Sequence, residues 1–152
     1  MNRTMTWTRT AMVVAAMVAL AACNKAGASS GGGLNTKSIS GVGTVLVDAQ
    51  GLTLYDLPSE ANGHITCTGS CAQAWPPLLE VGGKLPSAPS AVSSKLGTVM
   101  RPDGSTQVTY NGLPLYTFAG ESAGQASGQG VAGFMAVTVA GGSSNTGGAP
   151  GY

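Results

Sequence analysis

The sequence predicts a mostly β protein, a small antiparallel β-sandwich or barrel-like domain built from two β-repeats, with one short disulfide-stapled helical turn. Two observations favour strands: short segments alternate apolar and polar residues, and turn sequences rich in Gly, Asn and Asp separate them. A third observation is that convincing helical character is confined to residues 71–75. Together these features indicate short hairpins that share one hydrophobic core.

Residues 1–22 have the layout of a lipoprotein signal peptide. Arg3 and Arg9 precede an unbroken apolar run over 11–22, and these twelve residues are too few to span a membrane, which takes about 20. The run ends in Leu-Ala-Ala-Cys, which resembles a bacterial lipobox and implies that Cys23 is lipidated and anchors the protein to a membrane. The alternative is an ordinary secretory signal with a chance cysteine at its end.

The remaining chain divides into three parts. Residues 23–38 are predicted to be the lipidated N-terminus and a flexible Gly/Ser tether, 39–140 a β-rich repeat domain, and 141–152 a disordered Gly/Ser tail. A Pro/Ser/Ala stretch at 82–94 separates the halves of the domain. Asn24, where enteric lipoproteins retained at the inner membrane carry Asp, favours a periplasm-facing position at the outer membrane.

The charge balance excludes one class of partner. Without the signal peptide, five basic residues stand against six acidic ones, and no basic patch is present. Nucleic acid is therefore not an expected partner. We expect the membrane, through Cys23, and an unknown envelope protein or polymer as partners, and no cofactor.

The cysteines fit an exported protein. If Cys23 is lipidated, Cys67 and Cys71 remain as an even pair in an oxidising compartment, four residues apart, and a structural disulfide is expected. Ser70 and Gln73 have the spacing of a capping box, which predicts a helix that starts at Cys71. Residues following it have structural roles: Trp75 is predicted to face the core, and two prolines, Pro76 and Pro77, end the helix.

The two halves of the domain resemble each other. Residues 43–46 (GTVL) recur as 97–100 (GTVM), and 51–57 (GLTLYDL) recur as 112–118 (GLPLYTF). Hairpin turns are predicted at 48–51, at 103–104 and, most strongly, at Asn111-Gly112. Pro114 places its strand at an edge or at a bulge, and a last strand is predicted over 134–139.

The segments CTGSCAQAWPPL, GLTLYDL and DGSTQVTYNGLPLYTFAGE resemble the family of secreted-repeat lipoproteins, which is labelled by a Tyr-x-aromatic-x-x-Asp motif and has no established function. The resemblance covers about 40–140. The motif falls on Tyr55, Leu57 and Glu60 in the first copy, and on Tyr116, Phe118 and Glu121 in the second. Both copies end in Glu where the family has Asp, and Leu57 replaces an aromatic residue. These departures favour a structural motif, with aromatic rings in the core and an acid that ties a loop backbone.

Three further residue patterns could indicate a functional site. A copper site could form from His64, Cys67, Cys71 and Met100 if the thiols stayed reduced. Asp56, Glu60 and Glu121 could provide a carboxylate pair for acid–base work, although solvated loop acids are commoner. Residues 128–133 match G-x-G-x-x-G but lead into a strand rather than a helix, so dinucleotide binding is not predicted.

These features predict a bacterial cell-envelope lipoprotein that serves as a non-catalytic binding or structural module. The alternative function is a periplasmic metal-handling or redox protein that uses His64 and the Cys67/Cys71 pair. A hydrolytic enzyme is disfavoured because no nucleophile–base pair can be named.

Overall fold

Short antiparallel strands make up most of the regular structure, as predicted. The computed structural model describes residues 32–140. The strands are β1 (Asn35–Ile39), β2 (Gly43–Val47), β3 (Tyr55–Asp56), β4 (Leu96–Met100), β5 (Thr106–Tyr110), β6 (Leu113–Pro114) and β7 (Met135–Ala136). Two short α-helices, α1 (Ser70–Ala74) and α2 (Ser90–Ser93), and two 3-10 turns (Pro58–Gly63 and Val131–Gly133) connect them.

The chain contains two hairpins of the same design. β1 pairs with β2 from Asn35↔Val47 to Ile39↔Gly43, and β4 pairs with β5 from Leu96↔Tyr110 to Met100↔Thr106. A turn then brings a third extended segment back onto the second strand, over 52–57 in the first half and 113–118 in the second. The predicted duplication is therefore present.

The structure corrects one part of the predicted repeat alignment. β4 is the first strand of its hairpin and corresponds to β1, whereas β2 is a second strand and corresponds to β5. The predicted equivalence of 43–46 with 97–100 is therefore wrong. A four-residue Gly-Thr-Val-aliphatic pattern fits either strand of a hairpin, so it could not fix the alignment.

The last strand of each repeat is exchanged between the repeats. We call residues 75–80 and 134–139 the closing strands. The first closing strand pairs with the second repeat, through Pro77↔Tyr116 and Leu79↔Gln107. The second closing strand pairs with the first repeat, through Tyr55↔Ala136 and Val45↔Thr138. Each repeat, 35–80 and 96–139, thus completes the sheet of the other.

The two repeats meet at a pair of tyrosines. The backbone N–H of Tyr55 donates to the Tyr116 carbonyl oxygen at 2.8 Å, and the N–H of Tyr116 donates to the Tyr55 oxygen at 2.9 Å. Both side chains are 0% exposed. The reciprocal bonds and the matched strand exchange describe a pseudo-two-fold relation between the repeats, with Tyr55 and Tyr116 both buried on extended segments, as predicted.

Two groups of buried side chains form the core. The first is mainly aliphatic and includes the residues where each closing strand enters its hairpin: Leu46, Leu54, Val137, Leu78, Val108 and Leu115. The second, which we call the aromatic cluster, includes Tyr55, Trp75, Tyr116 and Phe134. Trp75 stacks on Phe134 with ring centroids 3.8 Å apart. Tyr55 meets the edge of Trp75, and Tyr116 that of Phe134, each at 5.3 Å, so the cluster repeats the pseudo-symmetry.

The predicted turns are confirmed. Asn111 and Gly112 have φ of 51° and 81°, the two positive values that a tight hairpin turn requires, and Tyr110 pairs with Leu113 across them. Gly104 has a φ of 82° at the β4–β5 turn. β6, which contains Pro114, lies at the edge of the β4-β5-β6 sheet, where a missing N–H donor is tolerated.

Three local predictions differ from the structure. α1 begins at Ser70 rather than Cys71, its N-cap is Gly69 with a φ of 56°, and no side chain caps it, so the predicted capping box is wrong. β1 begins at Asn35, inside the predicted tether 23–38. α2 lies in the 82–94 stretch, which was not predicted to be helical, and buries Val92.

The helix end follows the prediction. α1 stops at Ala74 with Trp75 as its C-cap, since the two following prolines exclude further helical turns. The predicted signal peptide, Cys23 and the tail at 141–152 lie outside the described residues. Among those described, no helix is long and apolar enough to cross a membrane.

Candidate functional site

The two tyrosines and the two glutamates of the motif form two crossed hydrogen bonds. The Tyr55 hydroxyl donates to Glu121 Oε1 at 2.6 Å, and the Tyr116 hydroxyl donates to Glu60 Oε2 at 2.6 Å. Each bond therefore joins the tyrosine of one repeat to the glutamate of the other. The two copies of the motif therefore lie next to each other, and their hydrogen bonds link one repeat to the other.

Each glutamate also holds its own loop. Glu60 Oε1 accepts from the Thr66 N–H at 2.6 Å, the Thr66 hydroxyl at 2.9 Å and the Cys67 N–H at 2.7 Å. Glu121 Oε1 accepts from the N–H and hydroxyl of Ser127 at 2.6 Å and 3.0 Å. The hydroxyl residue lies six positions after the acid in both repeats. The carboxylates thus act as acceptors that fix loop backbone.

The protonation states of these pairs suit a structural role. Burial alone would raise the pKa of Glu60, but hydrogen bonds from Tyr116, Cys67 and Thr66 outweigh it and hold the pKa below its usual value. Burial and, next, the facing carboxylate raise the pKa of each tyrosine above its ordinary range. At neutral pH Glu60 is ionised and both phenols are protonated, so none of these three groups is poised to transfer a proton.

The Glu60 side of the cluster includes two residues that sequence reasoning missed. Arg101 is buried; its Nη2 donates to the Cys67 carbonyl oxygen at 2.8 Å, and its Nη1 donates to Gln107 Oε1. Gln107 Nε2 in turn donates to the Leu115 carbonyl oxygen at 2.7 Å. An arginine next to an Asp-Gly turn normally faces solvent, so the sequence carried no signal of this buried network.

The remaining motif positions pack rather than react. Leu57 and Phe118 are partly buried against the aromatic cluster, and the Phe118 ring centroid lies 4.5 Å from that of Trp75. Trp75 is buried, as predicted. The Pro76 carbonyl oxygen accepts from the Thr117 N–H at 2.9 Å, so the double proline also begins the first closing strand.

Cys67 and Cys71 form the predicted disulfide, with Cα atoms 5.1 Å apart. Because the bond consumes both thiols, the alternative copper set of His64, Cys67, Cys71 and Met100 is not formed. His64 and Met100 are exposed and line one shallow groove. No cluster of three or more His, Cys, Asp or Glu side chains within residues 32–140 is arranged to hold a metal ion.

The glycine-rich segment has a packing function. A Cβ on Gly128 would lie 2.8 Å from the Trp75 ring and 2.9 Å from the Tyr55 ring, so only glycine fits there. Gly128 N–H also donates to the Tyr55 hydroxyl at 3.1 Å. Gly130 and Gly133 have φ of 77° and 88°, in the region that glycine adopts readily.

Asp56 is separated from the two glutamates and lines a pocket of about 400 Å³. It follows Tyr55 on β3, and its side chain therefore points to the opposite face of the strand. The pocket lies between the β1–β2 turn, the β5–β6 turn and the second closing strand, and its other lining residues are Gly41, Val42, Tyr110, Asn111, Leu113, Gln129, Met135, Ala136, Val137 and Thr138.

The Asp56 carboxylate is half-buried and forms no hydrogen bond or ion pair with any residue in the described part of the chain. Burial raises the pKa of Asp56 to about 6. Thr117 occupies the corresponding place in the second repeat, where it is 4% exposed and its hydroxyl donates to the Pro76 carbonyl oxygen at 3.4 Å. The unpartnered carboxylate is thus a feature of the first repeat.

The second structural repeat coincides with a known sequence unit. Residues 97–137 match a family model, and they run from β4 into the second closing strand. This segment is similar to the "secreted repeat of unknown function". The predicted resemblance is confirmed for these residues. The secreted repeat points to an extracellular or cell-envelope location. No curated protein and no solved structure matches the chain.

Proposed function

We propose that the protein is a cell-envelope lipoprotein, anchored through Cys23, whose β-domain is a non-catalytic binding or structural module. The observation that carries the proposal is the use of the reactive groups inside the fold. Both motif glutamates accept hydrogen bonds from the tyrosine of the other repeat. The two cysteines of the domain are bonded to each other. What remains for function is the surface of the domain.

The location is supported by two independent features. The match to a secreted repeat agrees with export, and the sequence Leu-Ala-Ala-Cys before Asn24 fits lipidation of Cys23. We further propose that the anchor lies in the outer membrane with the domain facing the periplasm. An envelope protein or polymer is then the natural partner class.

Detergent phase partition of cell envelopes tests the anchor. The wild-type protein should enter the detergent phase at its mature size, because acyl chains on Cys23 bring it there. The Cys23→Ser variant should remain as uncleaved precursor or as a water-soluble form. A matched control is the Cys67→Ser/Cys71→Ser double variant, which removes the disulfide but keeps Cys23 and should still enter the detergent phase. Mature-size Cys23→Ser protein in the detergent phase would contradict the proposal.

A further inference from the structure

We propose that the pocket around Asp56 binds a primary ammonium group carried on a short apolar stem, the chemistry of a lysine side chain or a linear diamine. This proposal deepens the proposed function and rests on it in treating the domain as a binding module. The lining of the pocket includes Asp56 and the apolar residues Val42, Leu113 and Met135.

The pocket has the size of a ligand site. Its volume of about 400 Å³ is in the range of small-molecule sites, roughly 300–1,000 Å³. Such sites use a few polar groups to fix the orientation of the ligand, and the lining of this pocket is mixed, with slightly more polar than apolar surface. Here the polar groups are Asp56, Asn111, Gln129 and Thr138.

The Asp56 carboxylate destabilises the fold. A half-buried Asp without a partner loses hydration and gains no hydrogen bond in return. The corresponding Thr117 shows that the same strand position accepts a residue whose hydroxyl bonds the backbone. A destabilising polar group that the fold does not need is typical of a binding site rather than of a core.

The charge of the pocket selects the ligand. Its lining includes no Lys, Arg or His, and Tyr110 is the other titratable side chain that lines it. A carboxylate or phosphate ligand would face Asp56 without a compensating cation. An ammonium group would instead find an anion, and the Asn111 amide oxygen is a further acceptor in the same lining.

The apolar walls fit a methylene stem. Met135 is 41% exposed, and its flexible side chain adapts to an aliphatic ligand. Gln129 is bonded to two other lining residues, because its Oε1 accepts from the Ala136 N–H at 2.7 Å and its Nε2 donates to the Met135 sulfur at 3.8 Å. The pocket therefore presents an unpartnered carboxylate beside an adaptable apolar surface.

Titration of the mature protein, solubilised in a mild non-ionic detergent, with 1,5-diaminopentane tests the proposal by NMR and calorimetry. We expect saturable binding at pH 7.5, with shifts in the amide signals of Asn111, Gln129 and Met135. The neutral 1,5-pentanediol should bind at least tenfold more weakly. Since Asp56 has a pKa of about 6, diamine binding should weaken about tenfold at pH 5, as the carboxylate takes up a proton.

Two variants identify the site. Asp56→Asn should abolish diamine binding, whereas Glu80→Gln, which removes the same charge from a side chain outside this pocket, should retain it. Diamine binding that survives Asp56→Asn, equal binding of the diol, or no saturable binding to the wild type would each overturn the proposal.

Envelope capture separates this proposal from the function on which it rests. If wild-type protein captures an envelope component that Asp56→Asn does not, while the diamine fails to bind, the ammonium specificity is overturned and the binding module stands. If the diamine binds as expected but the Cys23→Ser protein behaves as the wild type does in detergent partition, the anchor is overturned and the pocket stands.

Discussion

Glu60 is a carboxylate that solvent does not reach, and its charge depends on donors within the protein. Its side chain is 0% exposed, and both oxygens accept hydrogen bonds. Burial of a charge costs several kcal/mol, while a hydrogen bond to a charged group contributes roughly 1.5–3 kcal/mol. The balance is therefore close, and the loss of one donor leaves part of the burial cost uncompensated.

The Tyr116→Phe substitution should expose this balance. Removal of the hydroxyl leaves Glu60 Oε2 buried without its donor, and we expect a loss of about 2–3 kcal/mol in the free energy of unfolding. Tyr55→Phe should also destabilise the fold, by about 2 kcal/mol. Glu121 is only partly buried, so water can replace the phenol there, but the buried Gly128 N–H loses its acceptor. Urea denaturation followed by circular dichroism measures both.

Tyr110→Phe is the matched control for this pair. Tyr110 is buried, but its hydroxyl forms no hydrogen bond with the residues of the described range, so the change should be within about 0.5 kcal/mol. A loss below about 0.5 kcal/mol for either Tyr55→Phe or Tyr116→Phe would show that its crossed bond does not stabilise the fold.

Asp56 and Glu60 should affect the pH dependence of stability in opposite directions. Asp56 has a pKa of about 6 in the folded protein against an ordinary value of 3.8, so the folded state binds more protons between these values and gains stability as pH falls from 7 to 4. The pKa of Glu60 lies below its ordinary 4.5. The stability that Glu60 contributes is therefore present above pH 4.5 and is lost as the pH falls through its folded-state pKa.

We expect Asp56→Asn to raise the thermal unfolding midpoint at pH 7.5, because it removes the unpartnered charge, and the difference from the wild type to shrink as the pH approaches 4. Scanning calorimetry across this pH range measures it. Glu80→Gln, with the same change in net charge, should show no such convergence. A lower midpoint for Asp56→Asn at pH 7.5 would indicate a partner for the carboxylate.

At the scale of elements, α1 is a single turn that depends on its connections. It has no side-chain cap, and a helix this short is not stable by itself. The disulfide joins Cys71 of α1 to Cys67, whose N–H donates to Glu60. The bond thus connects the helix to the buried acid.

The Cys67→Ala/Cys71→Ala variant should fold and be less stable. The loop is short, so the entropy of closure predicts a loss of only about 2 kcal/mol, which corresponds to a decrease of several degrees in the unfolding midpoint. Thermal denaturation measures the decrease, and wild-type protein kept in an oxidising buffer is the reference. Failure of the variant to fold would mean that the disulfide has a larger role than closing this loop.

The elements that the sequence predicted correctly are those fixed by adjacent residues. Asn111-Gly112 determines its turn locally, and Pro76 ends α1 by a local steric clash. The start of α1 was predicted wrongly because Gly69, through a positive φ, takes the place that Ser70 was expected to cap. Tyr55, Tyr116 and the two glutamates were found by their motif. Arg101 and the special position of Asp56 were not, because they depend on contacts between distant segments.

At the scale of the whole molecule, the second closing strand was predicted as a strand, whereas the first closing strand and the exchange of the two were not. Side-chain alternation over 134–139 indicates a strand without identifying its partner. The choice between the hairpin of the same repeat and that of the other repeat depends on the length and path of the connection at 81–95, and no local pattern encodes this choice.

Strand exchange predicts that neither repeat folds alone. Fragments 32–82 and 83–140 should each be unfolded, since each lacks the closing strand that completes its sheet. An equimolar mixture of the two fragments should recover the native spectrum. The cut lies between Gly82 and Gly83, which are both exposed. Circular dichroism and NMR of the fragments, alone and mixed, measure this.

An intact chain with a longer connection is the control. A fifteen-residue Gly/Ser insertion between Gly82 and Gly83 roughly doubles the connection and should cost only about 0.6 kcal/mol, because closure entropy grows slowly with length. A lone fragment that unfolds cooperatively would show that the repeat is an independent domain.

The strand exchange also bears on how such a chain could arise. In a polypeptide with a single repeat of this design, the closing strand would not pair with its own sheet. Two such molecules would have to exchange their closing strands. The result would be a symmetric dimer, with tyrosine–glutamate bonds across the subunit boundary and a stability that falls on dilution. Fusion of two copies removes that dependence on concentration and frees the halves to diverge. Here one half has a disulfide and Asp56, and the other has Gly128 and Thr117 at the corresponding positions.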